Sequence, residues 1–401
     1  MSSFPPWKRH KPLKPPIFHF FRLSKILCGY SSITMEMKSF THEMLRRIIL
    51  WPIGRPHRVS PKQRFYAAME IRSVDRVPVF YQNLGAAKWI LESTGLRMFD
   101  GFHDPETFAK LALKAYKLYG YDTIMAGWGD LLIEAQAHGM QWKFPERDFY
   151  PRVAKYLPLS EADKLQPVDP MKDKFWSVPI RAAKMIVEQV GDEVAVVGCT
   201  DSPMWAVCEL FGMEAVLMAL FSEPGPIDNA LSTMTDSLRT YGERIRQAGV
   251  DSVFIDASGG GGELVSKEMY EQHDRPCLGA LNETYHRLCL KTIIHNDSTI
   301  PLWQSQMEIL PDALHLHLKH VDTKVLFRAL KGRTCLFAGI DHQELLFRHS
   351  PTEIEESVEA TLSQWGGSPG IVIAPGCELP YKTPECNIKA LKDAVIPHQT
   401  T

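Results

Sequence analysis

The chain carries eight cysteines, at positions 28, 199, 208, 277, 289, 335, 377 and 386, yet no two of them are spaced C-x-x-C. That absence excludes the dithiol redox motif and the paired-cysteine metal frames. Several lie inside apolar runs, so they read as reduced cytosolic thiols, most of them small core residues. No apolar run approaches the roughly 18 residues that cross a bilayer, which excludes a membrane-spanning helix. Charge of one sign is also lacking. The formal net charge is -2, so no global field points to nucleic acid or to an anionic membrane. Phosphate-binding signatures are missing too: there is no G-x-G-x-x-G and no G-x-x-x-x-G-K-[ST]. This tells against an open, doubly wound nucleotide-binding sheet. The loop "SGGGG" at 258–262 lacks both spacings. It could cradle an anion, but a flexible strand-to-helix loop is the plainer reading.

Acids are absent ahead of Glu36, and "MSSFPPWKRHKPLKPPIFHFFRLSKILCGY" is basic and rich in proline. Residues 1–59 therefore read as an N-terminal extension. It is a disordered arm, an organellar transit segment, or sequence upstream of a start at Met35 or Met37. Within it, "HEMLRRIILW" has the spacing of a short packed helix.

What remains is a typical globular composition, 45% hydrophobic and 23% charged, enough for a sizeable core. From residue 76 onward eight short runs have strand character: 76–81, 121–126, 194–199, 250–257, 291–295, 313–317, 335–340 and 370–376. Most are continuously apolar, as in parallel strands buried on both faces. Helical patterns fill the gaps. "DPETFAKLALKAYKLYG" opens on an Asp cap and a Pro and ends on Gly, and "SPTEIEESVEATLSQWGG" and "SKEMYEQHDRPCLGALNETYHRLCL" have similar grammar. Eight alternating strands and helices predict an α/β fold, a single (β/α)8 barrel over residues 60–396, followed by a short tail at 397–401. Long segments at 126–194 and 199–250 read as helical insertions at the C-terminal face.

In such a barrel, polar residues at strand ends converge on one mouth. The strand ends and the loops after them supply Asp130, Asp201, Asp256, His295, Asp297, His317, Asp341 and Cys377. Imidazole, carboxylate and thiolate are zinc ligand types. A lone His or Cys is more often structural, so spacing leaves both readings open.

Taken together, the motifs resemble the uroporphyrinogen decarboxylase superfamily of (β/α)8 barrels. "IRSVDRVPVF" resembles its opening strand, and "GWGDLLIEAQAHG" its D-L-L-x-E-A loop. "GMEAVLMALFSEPGPI" and "VSKEMYEQHDRP" resemble two of its helices. "FAGIDHQELL" and "APGCELPYKTPECNIKAL" resemble its last two strand-to-helix junctions. Tetrapyrrole decarboxylases of the superfamily hold their octacarboxylate substrate with an R-x-x-G-R loop after the first strand. Here that loop has no arginine between Arg76 and Arg97, and Lys88 is a poor substitute. The pattern is closer to the zinc-dependent, methylcobamide:coenzyme M methyltransferase branch, which ligates zinc through H-x-C and a distal Cys. His295 and Cys377 match. Asp297 stands where the branch has Cys, and His317 stands where the family often has an acid.

The resemblance implies zinc on His295, Asp297 and Cys377, with His317 as a possible fourth ligand or else a surface imidazole. It implies methyl transfer between a small corrinoid protein and a thiol or pterin; composition adds the expectations of a cytoplasmic protein with no nucleic acid partner and no membrane span. Asp130 and Asp256 are expected in substrate positioning or proton handling, or as caps of the helices that follow. Asp341 reads as a cap. The rival expectations are a decarboxylase acting on a smaller acid, a zinc hydrolase and a corrinoid-binding scaffold.

Overall fold

A computed structural model describes residues 59–82, 87–127, 132–145 and 150–396. The expectations for the N-terminal extension, its short helix, the 397–401 tail and Asp130 lie outside the described residues.

Seven parallel strands form one curled sheet. In chain order they are β1 (Thr123–Ala126), β4 (Ala195–Asp201), β5 (Ser252–Asp256), β6 (Lys291–Asn296), β7 (Ala313–His317), β8 (Cys335–Ile340) and β9 (Ile371–Pro375), and they pair in that same order. The intervening β2 (Gln141–Lys143) and β3 (Arg152–Lys155) form a separate antiparallel pair. Seven of the eight expected strands are therefore present.

The eighth, expected at 76–81, is reduced to a single parallel bridge from Val79 to Ile373. The local chemistry explains this. Pro78 has no N–H to give to a ladder. The Val79 N–H is taken by the side chain of Asp122 at 2.9 Å. Backbone bonds still tie this segment to both edges of the sheet. Phe80 N donates to Ile373 O at 2.9 Å, and Asp122 N donates to Val79 O at 3.2 Å.

Side chains alternate between two cores, as the period of a strand requires. One face of the sheet buries Met125, Val197, Cys199, Phe254, Ile293, Phe337 and Val372 around Phe80. The helix Pro61–Met69 adds Phe65, Ala68 and Met69 to that cluster. The other face buries Val196, Val253, Ile255, Ile294, Leu314, Leu336 and Ile373 with the helices. Strand ends that continue the first pattern bring polar groups together at the carboxyl end of the sheet.

The helices start and stop where side-chain chemistry dictates. Asp104 accepts from Thr107 N at 2.8 Å and starts Pro105–Tyr119, which ends at Gly120 with φ +57°. Ser350 and Glu353 form a capping box on Pro351–Trp365. The segment after β1 contains the short helix Ile133–Ala137 and the β2–β3 pair. Three helices, Pro203–Phe211, Met213–Ser222 and Gly225–Gln247, follow β4. Among the described residues no single helix is long and apolar enough to cross a membrane.

Candidate metal centre

His295, fully buried, is the penultimate residue of β6, and the chain leaves the strand after Asn296. The loop that follows is held firmly. Asn296 donates to Gly260 O at 3.0 Å and accepts from Ser298 N at 3.0 Å, and Ser298 Oγ donates to Ser258 O at 2.9 Å. Between these anchors sits Asp297. The SGGGG loop is thus tied down along one side. It is packed against the Asp297 loop, and a Cβ at Gly261 would lie 2.5 Å from Ser298 Oγ.

β9 delivers Cys377. Gly376 N donates to Ile340 O at 2.7 Å. A Cβ at Gly376 would lie 2.7 Å from the His317 ring, so only glycine lets the strand exit pass. One nitrogen of His295, one oxygen of Asp297 and the sulfur of Cys377 all lie within 4.8 Å of one another. Burial opposes ionisation of Asp297. The His295 imidazole, a hydrogen bond from the Cys377 thiol and another from Ser258 outweigh it and hold the carboxyl below its usual range.

Beneath His295 lies an aromatic floor. The ring centroids of His295 and His315 are 4.6 Å apart, those of His295 and Phe254 5.0 Å, and those of Phe254 and His315 5.7 Å. The three rings are therefore mutual neighbours, with His295 tilted about 30° from each of the other two.

Asp256 neighbours His295 in the strand register and is buried. Burial, then the charge of Asp297, pushes its carboxyl up to about 7. Its Oδ1 accepts from Ser258 N at 3.0 Å and Ser258 Oγ at 2.6 Å, so it braces its own loop and caps no helix. Asp201 is Asp256's register partner on β4 and is fully buried. Asp341 accepts from Gln343 N and Glu344 N, both at 3.1 Å, and from Lys319 at 2.9 Å; it braces the turn ahead of the helix Leu345–Arg348 and is not the expected helix cap, since Glu344 holds the N-cap position.

His317 is placed differently from both expectations. It is 2% exposed, so it is no surface imidazole. It is also outside the three-residue donor group among the described residues. Its ring packs 4.5 Å from His320 and 5.2 Å from His342, and its Nε2 is 3.7 Å from Asp341. Burial, then the neighbouring His320, pushes its pKa down to about 4.

Two buried histidines near the centre escaped the sequence reading, His315 and His342. The alternation in "ALHLH" was the available signal for His315, because it puts residues 313, 315 and 317 on one face. Glu134 was missed as well. It is buried and accepts from Thr200 Oγ1 at 2.8 Å, bracing the end of β4.

With this geometry in view, comparison with known proteins is informative. The uroporphyrinogen decarboxylase (URO-D) family matches residues 60–398. The methylcobamide:CoM methyltransferase MtbA of Methanosarcina mazei is 22% identical over 340 residues, covering 83% of this chain and 96% of that protein. The methylcobamide:CoM methyltransferase MtaA of Methanosarcina barkeri is 24% identical over 333 residues, covering 82% and 96%. A solved methyltransferase structure from Methanosarcina mazei superposes with a TM-score of 0.76 at 22% identity, covering 84% of this chain and 98% of that one. That likeness shows a shared fold.

Proposed function

The chain belongs to the uroporphyrinogen decarboxylase family, and within it we propose a zinc-dependent methyltransferase. It moves a methyl group between a corrinoid carried by a small partner protein and a thiol acceptor, with a pterin as the alternative acceptor. The observation that carries this reading is the convergence of His295, Asp297 and Cys377 donor atoms within 4.8 Å. Nitrogen, oxygen and sulfur donors suit zinc, and three protein ligands leave a fourth position for substrate. The similarity to two methylcobamide:CoM methyltransferases supports the same branch. The missing arginines between Arg76 and Arg97 speak against an octacarboxylate substrate.

We read the sheet as a barrel whose eighth stave is the Pro78–Phe80 segment, supported by its bonds to Ile373 and Asp122. His295, Asp297 and Cys377 would hold the zinc. When bound, zinc supplies the Lewis acidity that keeps a substrate thiol as thiolate near neutral pH. Asp297, already ionised in the resting site, offers its oxygen without first losing a proton. Asp256 lies one strand away and is assigned to substrate positioning or proton handling. Asp130 is assigned the same way from its place in the sequence. None of the seven described cysteines is in a disulfide, which suits a reducing compartment such as the cytoplasm.

The test is metal analysis of protein purified without added zinc, followed by transfer of methyl from methylcobalamin to a panel of thiols and to a reduced pterin. We expect about one zinc per chain and methylation of at least one acceptor. Release of carbon dioxide from uroporphyrinogen, with no methyl transfer, would overturn the assignment.

A further inference from the structure

The two halves of the centre come from strands that do not touch. His295 lies one residue before the end of β6 and Cys377 follows β9, and β7 and β8 lie between them in the sheet. Something must set the spacing of these halves. One side chain reaches both, and it belongs to β7.

We propose that His315 is a positioning residue that fixes Cys377 relative to His295. This rests on the metal-centre reading above. His315 is fully buried and is the register partner of His295, with the ring centroids 4.6 Å apart. Its Nε2 donates to the carbonyl oxygen of Pro375 at 2.7 Å. That hydrogen bond places a proton on Nε2. Nδ1 has no hydrogen-bond partner among the described residues. The ring therefore directs its one polar bond at β9.

The consequence for Cys377 follows from the covalent chain. A single residue, Gly376, separates the held carbonyl from Cys377. The N–H of that same peptide, on Gly376, is held by Ile340 O, and the His317 ring leaves no room for a Cβ at Gly376. Rotation of the Pro375 peptide would pass directly to the cysteine. The rings around His315 are Phe80, Phe254 and Phe337, at 6.1, 5.7 and 6.1 Å between centroids. A buried carbonyl left without a donor is costly, so the strand end would move to find one.

The test compares the parent with His315→Phe and His315→Gln. Phenylalanine keeps a ring under His295 and removes the donor. Glutamine restores an N–H at similar reach. Zinc affinity is measured by competition with a chromophoric chelator. The alkylation rate of Cys377 in metal-free protein is measured by peptide mass spectrometry. We expect His315→Phe to bind zinc roughly 10–100-fold more weakly, the usual effect of losing an outer-shell partner, and to alkylate at Cys377 at a changed rate. His315→Gln should recover most of both. If His315→Phe fails to fold, His315→Met takes its place, since it also lacks a donor and adapts its shape. Parent-like zinc affinity and parent-like alkylation in the donor-free variant overturn the proposal. If the parent itself binds no zinc, the metal reading fails, and the alkylation comparison alone decides whether His315 positions Cys377.

Discussion

At the scale of single residues, Asp297 is the unusual member of the centre, and its ionised state comes from its surroundings. Burial would raise its pKa, but His295, the Cys377 thiol and Ser258 together lower it. A carboxylate held ready in this way is a competent metal donor. Asp297→Ala leaves two donors. Zinc affinity should then fall by at least the roughly 10–100-fold that loss of an outer-shell partner costs. Asp297→Cys keeps three donors and trades a hard oxygen for a softer sulfur, so zinc should be retained. Chelator competition on both variants checks this, and parent-like affinity in the alanine variant would remove Asp297 from the ligand set. His295 and Cys377 stood out in the sequence because apolar runs stop at them, and Asp297 because it follows His295 by two, but only the family resemblance tied the three to one metal. His315 was hidden because it lies inside such a run. His342 was hidden because its burial depends on packing between distant segments, which no local pattern records.

At the scale of elements, capping was readable and helix defects were not. Asp104, Ser350 and the following prolines announced their helices, and the structure places the caps as expected. The segment 266–290 looked like one more such helix. Instead Lys267–Met269 passes through a π-helical turn, Tyr270–Asp274, before Arg275–Arg287. Pro276 gives the reason. It has no N–H for the residue four back, and its ring crowds that carbonyl, so the turn ahead of it widens. The widened turn leaves Asp274 1% exposed, with both carboxylate oxygens lacking hydrogen-bond partners among the described residues. Burial pushes its carboxyl from 3.8 up to about 7. The folded protein therefore holds this proton more tightly than the unfolded chain does. Stability from the neutral acid is fully present below about pH 4 and is lost as pH rises through about 7. Asp274→Asn should thus be more stable than the parent at pH 8, by on the order of a few kcal/mol, and similar to it near pH 4. Urea unfolding of both proteins at the two pH values checks this. A stability difference that does not change with pH would rule out the buried acid as its source.

At the scale of the whole molecule, the two ends of the parallel sheet do different work. The carboxyl ends of the strands carry His295, Asp297 and Cys377. The amino end of β1 carries Asp122, which is fully buried. Asp122 accepts from Arg64 Nη1 at 2.6 Å, from both terminal nitrogens of Arg76 at 2.9 Å, and from Val79 N at 2.9 Å. Arg64 also holds Asp75 through two bonds, at 2.6 and 2.7 Å. One carboxylate thus joins the helix Pro61–Met69, the Pro78–Phe80 segment and the first strand. This explains why the expected first strand could shrink to a bridge without leaving the sheet: its missing ladder bonds are replaced by side-chain bonds to Asp122. The sequence "RSVDRVP" showed the charges, but not that Arg76 would be buried against Asp122, 46 positions later. Asp122→Ala would leave the buried Arg64 guanidinium short of a counter-charge and the Val79 N–H without an acceptor. Breaking a buried pair from one side typically costs about 3–5 kcal/mol, and the loss here should fall in that range by urea denaturation. Asp122→Asn keeps one carbonyl oxygen and should lose less. Because the network sits at the opposite end of the strands from the candidate metal centre, folded Asp122→Asn should match the parent in whatever zinc affinity the parent shows. A large loss of zinc affinity without a loss of stability would mean that the two ends are coupled through the strands, against the division of labour argued here.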